Sequence, residues 1–264
     1  MKRIMYASLA TLVFAGCSEP TAPSKALDVT SPVYARKTGG GGAGGGPTTV
    51  VIDDNFSFEP GAAATASSFG TELQAGAVGE ASDPAVATSP SGQRFLGRFQ
   101  ETRTQLVLTT PAGHSKYSLA FDLYTIGSWD GKGKQAQNGV FEANVVQIGY
   151  RCGTSATITP LFSTTFSNQL TVQQDYPRAL GLGGNKAGTG SFAQDALGYR
   201  GHPELSNTPP FRSFADVSYR LTFAGANPCG TNAMSFVWDT SNPTQQNLND
   251  ESWGIDNVNL KMGS

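Results

Sequence analysis

Oxygen-bearing side chains crowd both ends of the chain. Asp53-Asp54-Asn55 and Glu59 stand near the start, and Asp250-Glu251 and Asp256-Asn257 stand near the end. Asp256 shares the parity of Val258, Leu260 and Met262, which sets its carboxylate on the core-facing side of a strand. A carboxylate there needs an ion pair, donated hydrogen bonds at a strand end, or a metal. Trp129-Asp130 can offer an indole face to a sugar ring and an acid to its hydroxyls, or it can form a packed Trp-Asp-Gly turn. Asp122 sits on the polar face of its strand, with Lys116 or Arg220 as its partner.

Catalytic signatures are scarce. Only His114 and His202 are present, and neither G-x-S-x-G nor H-E-x-x-H occurs. Sandwich glycosidases need two carboxylates facing one cleft, whereas Glu142 stands alone on its strand. The chain therefore reads as a non-enzyme. A cryptic glycoside hydrolase, with carboxylates drawn from distant strands, is the enzymatic alternative.

These groups must be positioned by strands. The 264 residues include 32 glycines and 15 prolines, and 14 % are charged, against roughly 25 % in an ordinary soluble domain. Such a composition suits an exported β-protein. A formal charge of −2 leaves no basic stripe for nucleic acid. Tyr117, Leu119, Phe121 and Leu123 alternate with polar or small residues, as do Val217, Tyr219, Leu221 and Phe223, then Met234, Phe236 and Trp238; this period of two predicts half-buried strands. Residues 94–99, 104–109 and 141–148 are further strands, the last slipping phase at Val145-Val146 as a β-bulge would. Turn-forming residues separate the runs, and no capped amphipathic helix is visible. Residues 48–264 form one antiparallel β-sandwich domain on this reading.

Residues 175–215 break the rhythm. They hold Tyr176, Phe192, Tyr199, Phe211 and Phe214 beside Arg178, Arg200 and His202. The group is either a stacking platform or a set of rings that pin a long loop onto the sandwich.

Lys2-Arg3, an apolar run and then Phe14-Ala15-Gly16-Cys17 begin the chain. The run is too short to span a bilayer, so residues 1–16 read as a signal peptide. Its ending resembles the lipobox of bacterial lipoproteins, which implies a diacylglycerol on Cys17; cleavage after Ala15 is the alternative. With Cys17 acylated, Cys152 and Cys229 remain as an even pair in an oxidising compartment, and a disulfide follows. Residues 17–47, with glycine at 39–46 except Ala43, form a flexible tether. Without Lys2 and Arg3, 16 basic side chains face 20 acidic ones, so the membrane is met only through the lipid.

The strand residues at the two ends resemble jelly-roll carbohydrate-binding modules, which open with an Asn-Phe-Glu-like strand and close with Ile-Asp-Asp/Asn-Val. Here Asn55-Phe56 with Glu59 matches the opening, although Ser57-Phe58 intervenes, and Ile255-Asp256-Asn257-Val258 matches the closing. The resemblance implies an all-β jelly-roll-like sandwich whose ends meet around a structural calcium. Glu59 and Asp256 would be its ligands, with Asn55 or Asp54 in reserve. Donated backbone hydrogen bonds to Asp256, with no metal, are the alternative. The block 121–131 and the 251–257 ending also resemble a pattern recurrent in exported bacterial β-proteins. The implied function is non-catalytic binding of a glycan or other ligand at the bacterial envelope, facing periplasm or exterior, with Trp129, Asp130, Tyr176 and Tyr199 as contacts. An envelope lipoprotein with a purely structural role, or with a protein partner, is the rival.

Overall fold

In a computed structural model, the described residues are 50–56, 58, 69–73, 86–100, 104–110, 112–133, 143–200, 213–240, 248 and 250–263. The proposed signal, Cys17 and tether lie outside them, as do Glu59, Glu142, His202 and Phe211. Among the described residues there are strands and no helix. In chain order they are β1 (Val50–Phe56), β2 (Phe69–Leu73), β3 (Val86–Thr88), β4 (Arg94–Gln100), β5 (Thr104–Thr109), β6 (Lys116–Gly127), β7 (Val145–Cys152), β8 (Thr159–Thr165), β9 (Ser191–Gln194), β10 (Asp216–Ala226), β11 (Met234–Thr240) and β12 (Glu251–Gly263).

Two antiparallel sheets result. The larger runs β3-β4-β12-β6-β10-β9, with β1 also on β12, and the smaller runs β2-β5-β11-β7-β8. The chain changes sheet from β1 to β2, β2 to β3, β4 to β5, β5 to β6, β6 to β7, β8 to β9, β10 to β11 and β11 to β12. This is a jelly-roll-like β-sandwich. The period-two residues of β6 and β10 turn Leu119, Phe121, Leu123, Val217, Tyr219 and Leu221 inward, where they meet Leu106, Ile148, Phe236 and Trp238 of the smaller sheet. Phe121 packs edge-on to Trp238 at 5.3 Å, and Phe166 lies 4.5 Å from Tyr219. Each such side chain contributes about 1.5–3 kcal/mol on burial.

Two readings of phase need correction. In β7 the alternation is regular at Val145 (half-buried) and Val146 (buried); the irregularity against β8 falls at Ile148/Gly149 instead. The chain entering β8 comes close there, since a Cβ on Gly149 would lie 2.6 Å from the Ile158 side chain. In β12 the register against β6 shifts between Asp256 and Asn259, with Asn257 at φ 49°. That extra residue flips the strand. Ile255 and Val258 both face the core, while Asp256, paired with Asp122, faces the outer surface of the larger sheet. Asp256 is not on the face of Val258, Leu260 and Met262.

β12 is the organising strand. β6 pairs along one edge of it. On the other edge β4 pairs with residues 252–255 and β1 takes over from Val258. The opening and closing strands do meet, with Asn55 opposite Asn259 and Asp54 opposite Leu260.

Cys152 at the end of β7 is bonded to Cys229 in the turn after β10, with Cα atoms 5.2 Å apart. The bridge ties the smaller sheet to a connection leaving the larger one. It closes a 77-residue separation, which by chain entropy is worth about 4 kcal/mol. Cys152→Ser with Cys229→Ser should therefore lower unfolding free energy by about 4 kcal/mol in denaturant titration. A change within error would mean the bridge contributes nothing.

Candidate binding face on the larger sheet

The bulge at Asn257 gathers polar groups on the outer face. Cross-strand register sets Arg220, Asp122 and Asp256 in one row across β10, β6 and β12. Arg220 donates to Asp122 through Nε (2.7 Å to Oδ1) and Nη2 (2.8 Å to Oδ2), and Asn257 Nδ2 donates to the same carboxylate at 2.8 Å. Arg220, rather than Lys116, is the partner of Asp122. Its pKa is pushed up, chiefly by that hydrogen bond. Asp122 is buried while the Arg220 side chain is 48 % exposed, so the pair presents a fixed guanidinium to solvent.

Asp256 lies where β4 stops and β1 begins along β12. Its Oδ1 accepts the backbone N–H of Asn257 at 2.8 Å. Its Oδ2 accepts Gln93 Nε2 at 2.9 Å and the Tyr124 hydroxyl at 3.3 Å. The backbone N–H of Phe58 also donates to it. Burial pushes its carboxyl above the ordinary range, and these donors pull it partly back.

That donor set tests the calcium reading. A calcium ion needs six to eight oxygen lone pairs around it, whereas N–H and O–H donors converge on the Asp256 carboxylate. Asp256 does not fit as a calcium ligand; it serves as the acceptor at a strand junction. Among the described residues no group of three or more His, Cys, Asp or Glu could hold a metal. Glu59 lies outside the described residues, and Asp54 and Asn55 are placed only by their positions on β1.

The proposed ligand contacts fare unevenly. Trp129 is fully buried and its Nε1 donates to the Ser252 carbonyl at 3.0 Å. Asp130, partly buried, accepts Gln169 Nε2, and a Cβ on Gly131 would lie 2.3 Å from the Gln173 carbonyl. The Trp-Asp-Gly block is thus a packed turn, locked onto the 250–252 segment through Ser128 N–H to the Asp250 carbonyl. Tyr176 is 2 % exposed, packed against Phe166 and Tyr219. Neither Trp129 nor Tyr176 can stack on a ligand, because the core already covers both faces of each ring. Tyr199 is half-buried under the Arg98 guanidinium, 5.1 Å from its centroid.

The 175–215 segment contributes differently from the sequence reading. It contains β9, and Tyr176 and Phe214 pack against the core, so these rings pin it. Asp216 accepts the N–H groups of Ala196 and Leu197, which lays Leu197 and Tyr199 over Phe95, Tyr124 and Ile126 as a second, smaller apolar cluster. That cluster roofs one half of the outer face. The other half stays open: the small or polar Ser118, Ala120, Thr222 and Asn259 are half-exposed. At its edge Phe192 on β9 is 54 % exposed, with the Arg220 guanidinium 5.6 Å from its ring centroid. An exposed ring, a fixed guanidinium and the exposed Asn257 amide share one surface. Sequence reasoning named Phe192 and Arg220 separately; only the β9–β10 pairing brings them together.

No protein-family model matches the chain, and no curated protein matches it. Among solved structures, it is similar to the K2 cleaved adhesin domain of Lys-gingipain, at 14 % identity over 80 % of this chain and 98 % of that one, with a TM-score of 0.36. It is also similar to the CBM22-1 xylan-binding domain of Paenibacillus barcinonensis Xyn10C, at 10 % identity over 82 % and 96 %, TM-score 0.32. The C-terminal CBM6 of LamC from Zobellia galactanivorans gives 7 % identity over 81 % and 100 %, TM-score 0.30. At these scores the likeness carries no inference about this chain.

Because Asp256 is satisfied by protein donors, the melting temperature should be the same in calcium and in chelator. A fall in chelator would restore a metal to the structure.

Proposed function

We propose that residues 48–264 are a non-catalytic module that binds a glycan on the open half of the larger sheet. The module would act outside the cytoplasm at the bacterial envelope, tethered through a lipid on Cys17. The observation that carries the reading is the Phe192–Arg220–Asp122–Asn257 group. A sugar ring needs an apolar face to stack on and polar groups, already held in place, for its hydroxyls. Phe192 supplies the first, and Arg220 and Asn257, both anchored on buried Asp122, supply the second.

The same geometry speaks against hydrolysis. A glycosidase needs two carboxylates free to flank the scissile bond, and the acids brought together on this face are Asp122 and Asp256, opposite each other on β6 and β12. Both are buried, and their oxygens already accept protein donors. Neither is placed to reach a glycosidic oxygen or a water. The structural reading draws on the burial of Trp129 and Tyr176, and it does not account for an exposed phenylalanine beneath an ordered arginine.

The test is retention of residues 18–264 on a panel of insoluble and soluble polysaccharides. Retention on one class is expected, weakened by about five- to tenfold in Phe192→Ala, the size of one aromatic stacking contact. The melting temperature should not move, since the ring is exposed. No retention on any glycan, or equal retention by Phe192→Ala, would contradict the proposal and favour the structural role.

A further inference from the structure

Of the four large apolar side chains exposed among the described residues, three lie away from the open face: Leu170, Leu180 and Leu182, at 45 %, 47 % and 59 % exposure. Leu180 and Leu182 sit on one tight loop beside β8, in the run Arg178-Ala179-Leu180-Gly181-Leu182-Gly183-Gly184. The segment bearing Leu170 is joined to that loop by the reciprocal backbone bonds of Gln174 and Asn185. We propose that this loop is a membrane-contact device. It sets Leu180 and Leu182 into the boundary between headgroups and acyl chains of an anionic bilayer, with Arg178 and Lys186 against the lipid phosphates.

The four N–H groups of residues 180–183 are all paired within the protein, which lowers the cost of bringing the loop to the headgroup boundary. A segment entering lipid must satisfy its own backbone polar groups, because no water is there to do so. Leu180 N–H donates to the Ser163 carbonyl and Leu182 N–H to the Ala179 carbonyl. Gly181 and Gly183 N–H groups donate to the two oxygens of buried Asp175 at 3.0 and 2.9 Å. The carbonyls of Arg178, Leu182 and Gly183 accept Thr164 Oγ1, Arg178 Nη1 and Lys132 Nζ. Lys132 also pairs with Asp175 at 3.2 Å. The leucines are therefore displayed on a fixed loop.

Charge selects the occupant. Residues 176–194 contain Arg178 and Lys186 and no acid at all, and both cations are exposed. The nearest acid, Asp175, is buried and neutralised by Lys132. In a chain of net −2 this loop is locally cationic, and exposed leucines flanked by basic residues match the depth profile of an anionic lipid surface. The whole-chain charge, which argues against such adhesion, averages this feature away. The contact would orient the sandwich on the bilayer, and it is independent of the glycan reading.

The experiment uses residues 18–264, which retain every described residue and carry neither signal nor acyl chain. The protein is sedimented with phosphatidylcholine vesicles lacking or containing phosphatidylglycerol. Binding to the anionic vesicles alone is expected, weakening with salt. Arg178→Gln with Lys186→Gln should lower it roughly tenfold or more, and Leu180→Ser with Leu182→Ser should lower it at least as far. Phe192→Ala should leave it unchanged. Melting temperatures of all variants should stay close to the parent, because the substituted side chains are exposed and the one bond lost, Arg178 Nη1 to the Leu182 carbonyl, is a long surface contact. No vesicle binding, undiminished binding by the leucine variant, or a parent dimer that the leucine variant dissolves would each overturn the proposal, the last assigning the loop to a second copy.

Discussion

One buried carboxylate, that of Asp256, joins four segments of the larger sheet where its strands change over. Asp256 stands at the point on β12 where one neighbour ends and another begins, a place where the strand would otherwise leave backbone groups without partners. Its four donors come from β12 itself, from Gln93 just before β4, from Phe58 just after β1 and from Tyr124 on β6. A buried charge is costly unless fully hydrogen-bonded, so the arrangement tolerates little slack in any of those segments. Asp256 faces outward by its alternation with core-facing Ile255, and the bulge that carries Asn257 then returns Val258 to the core.

The second carboxylate of that row follows from the first. With Asp256 opposite Asp122, like charges directly across a pair of strands are unfavourable. Arg220 on the next strand offsets the repulsion with two hydrogen bonds, and its guanidinium then extends over Phe192. The surface proposed to meet a ligand is thus the outer end of a chain of constraints that starts at a strand junction. The opposite end of β12 is fixed by other means. There the Trp129 indole, the Ser128 amide and the Asn144 side chain bond to residues 250–252.

Much of this architecture is written in alternation. β6, β10 and β11 are visible as period-two runs because one face of each is buried against the other sheet and the opposite face carries mostly polar or small residues. The parity of Asp256 was not legible, because a single inserted residue inverts every later position and the run Ile-Asp-Asn-Val carries no break. The available signal was Asn257 itself, a residue type that tolerates positive φ. Trp129 and Tyr176 misled for a related reason: an aromatic ring with a polar tip suits a ligand platform and a core equally well, and only the partner decides. For Trp129 that partner is a backbone carbonyl 123 residues away. Phe192 was visible as one ring of the 175–215 segment, but its place beside Arg220 was not, because no periodicity marks a short edge strand such as β9.

The claim at the centre of this account is that ligand is met on the open half of the outer face, not at the Trp-Asp-Gly turn. Amide and side-chain NMR of residues 18–264, titrated with soluble oligosaccharides, tests it most directly. Shift changes confined to Phe192, Arg220, Asn257 and Asn259, with Arg220 Nε–H among the most affected, are the predicted result. Changes centred on residues 128–131 and Tyr176, or none at saturating oligosaccharide, would contradict it.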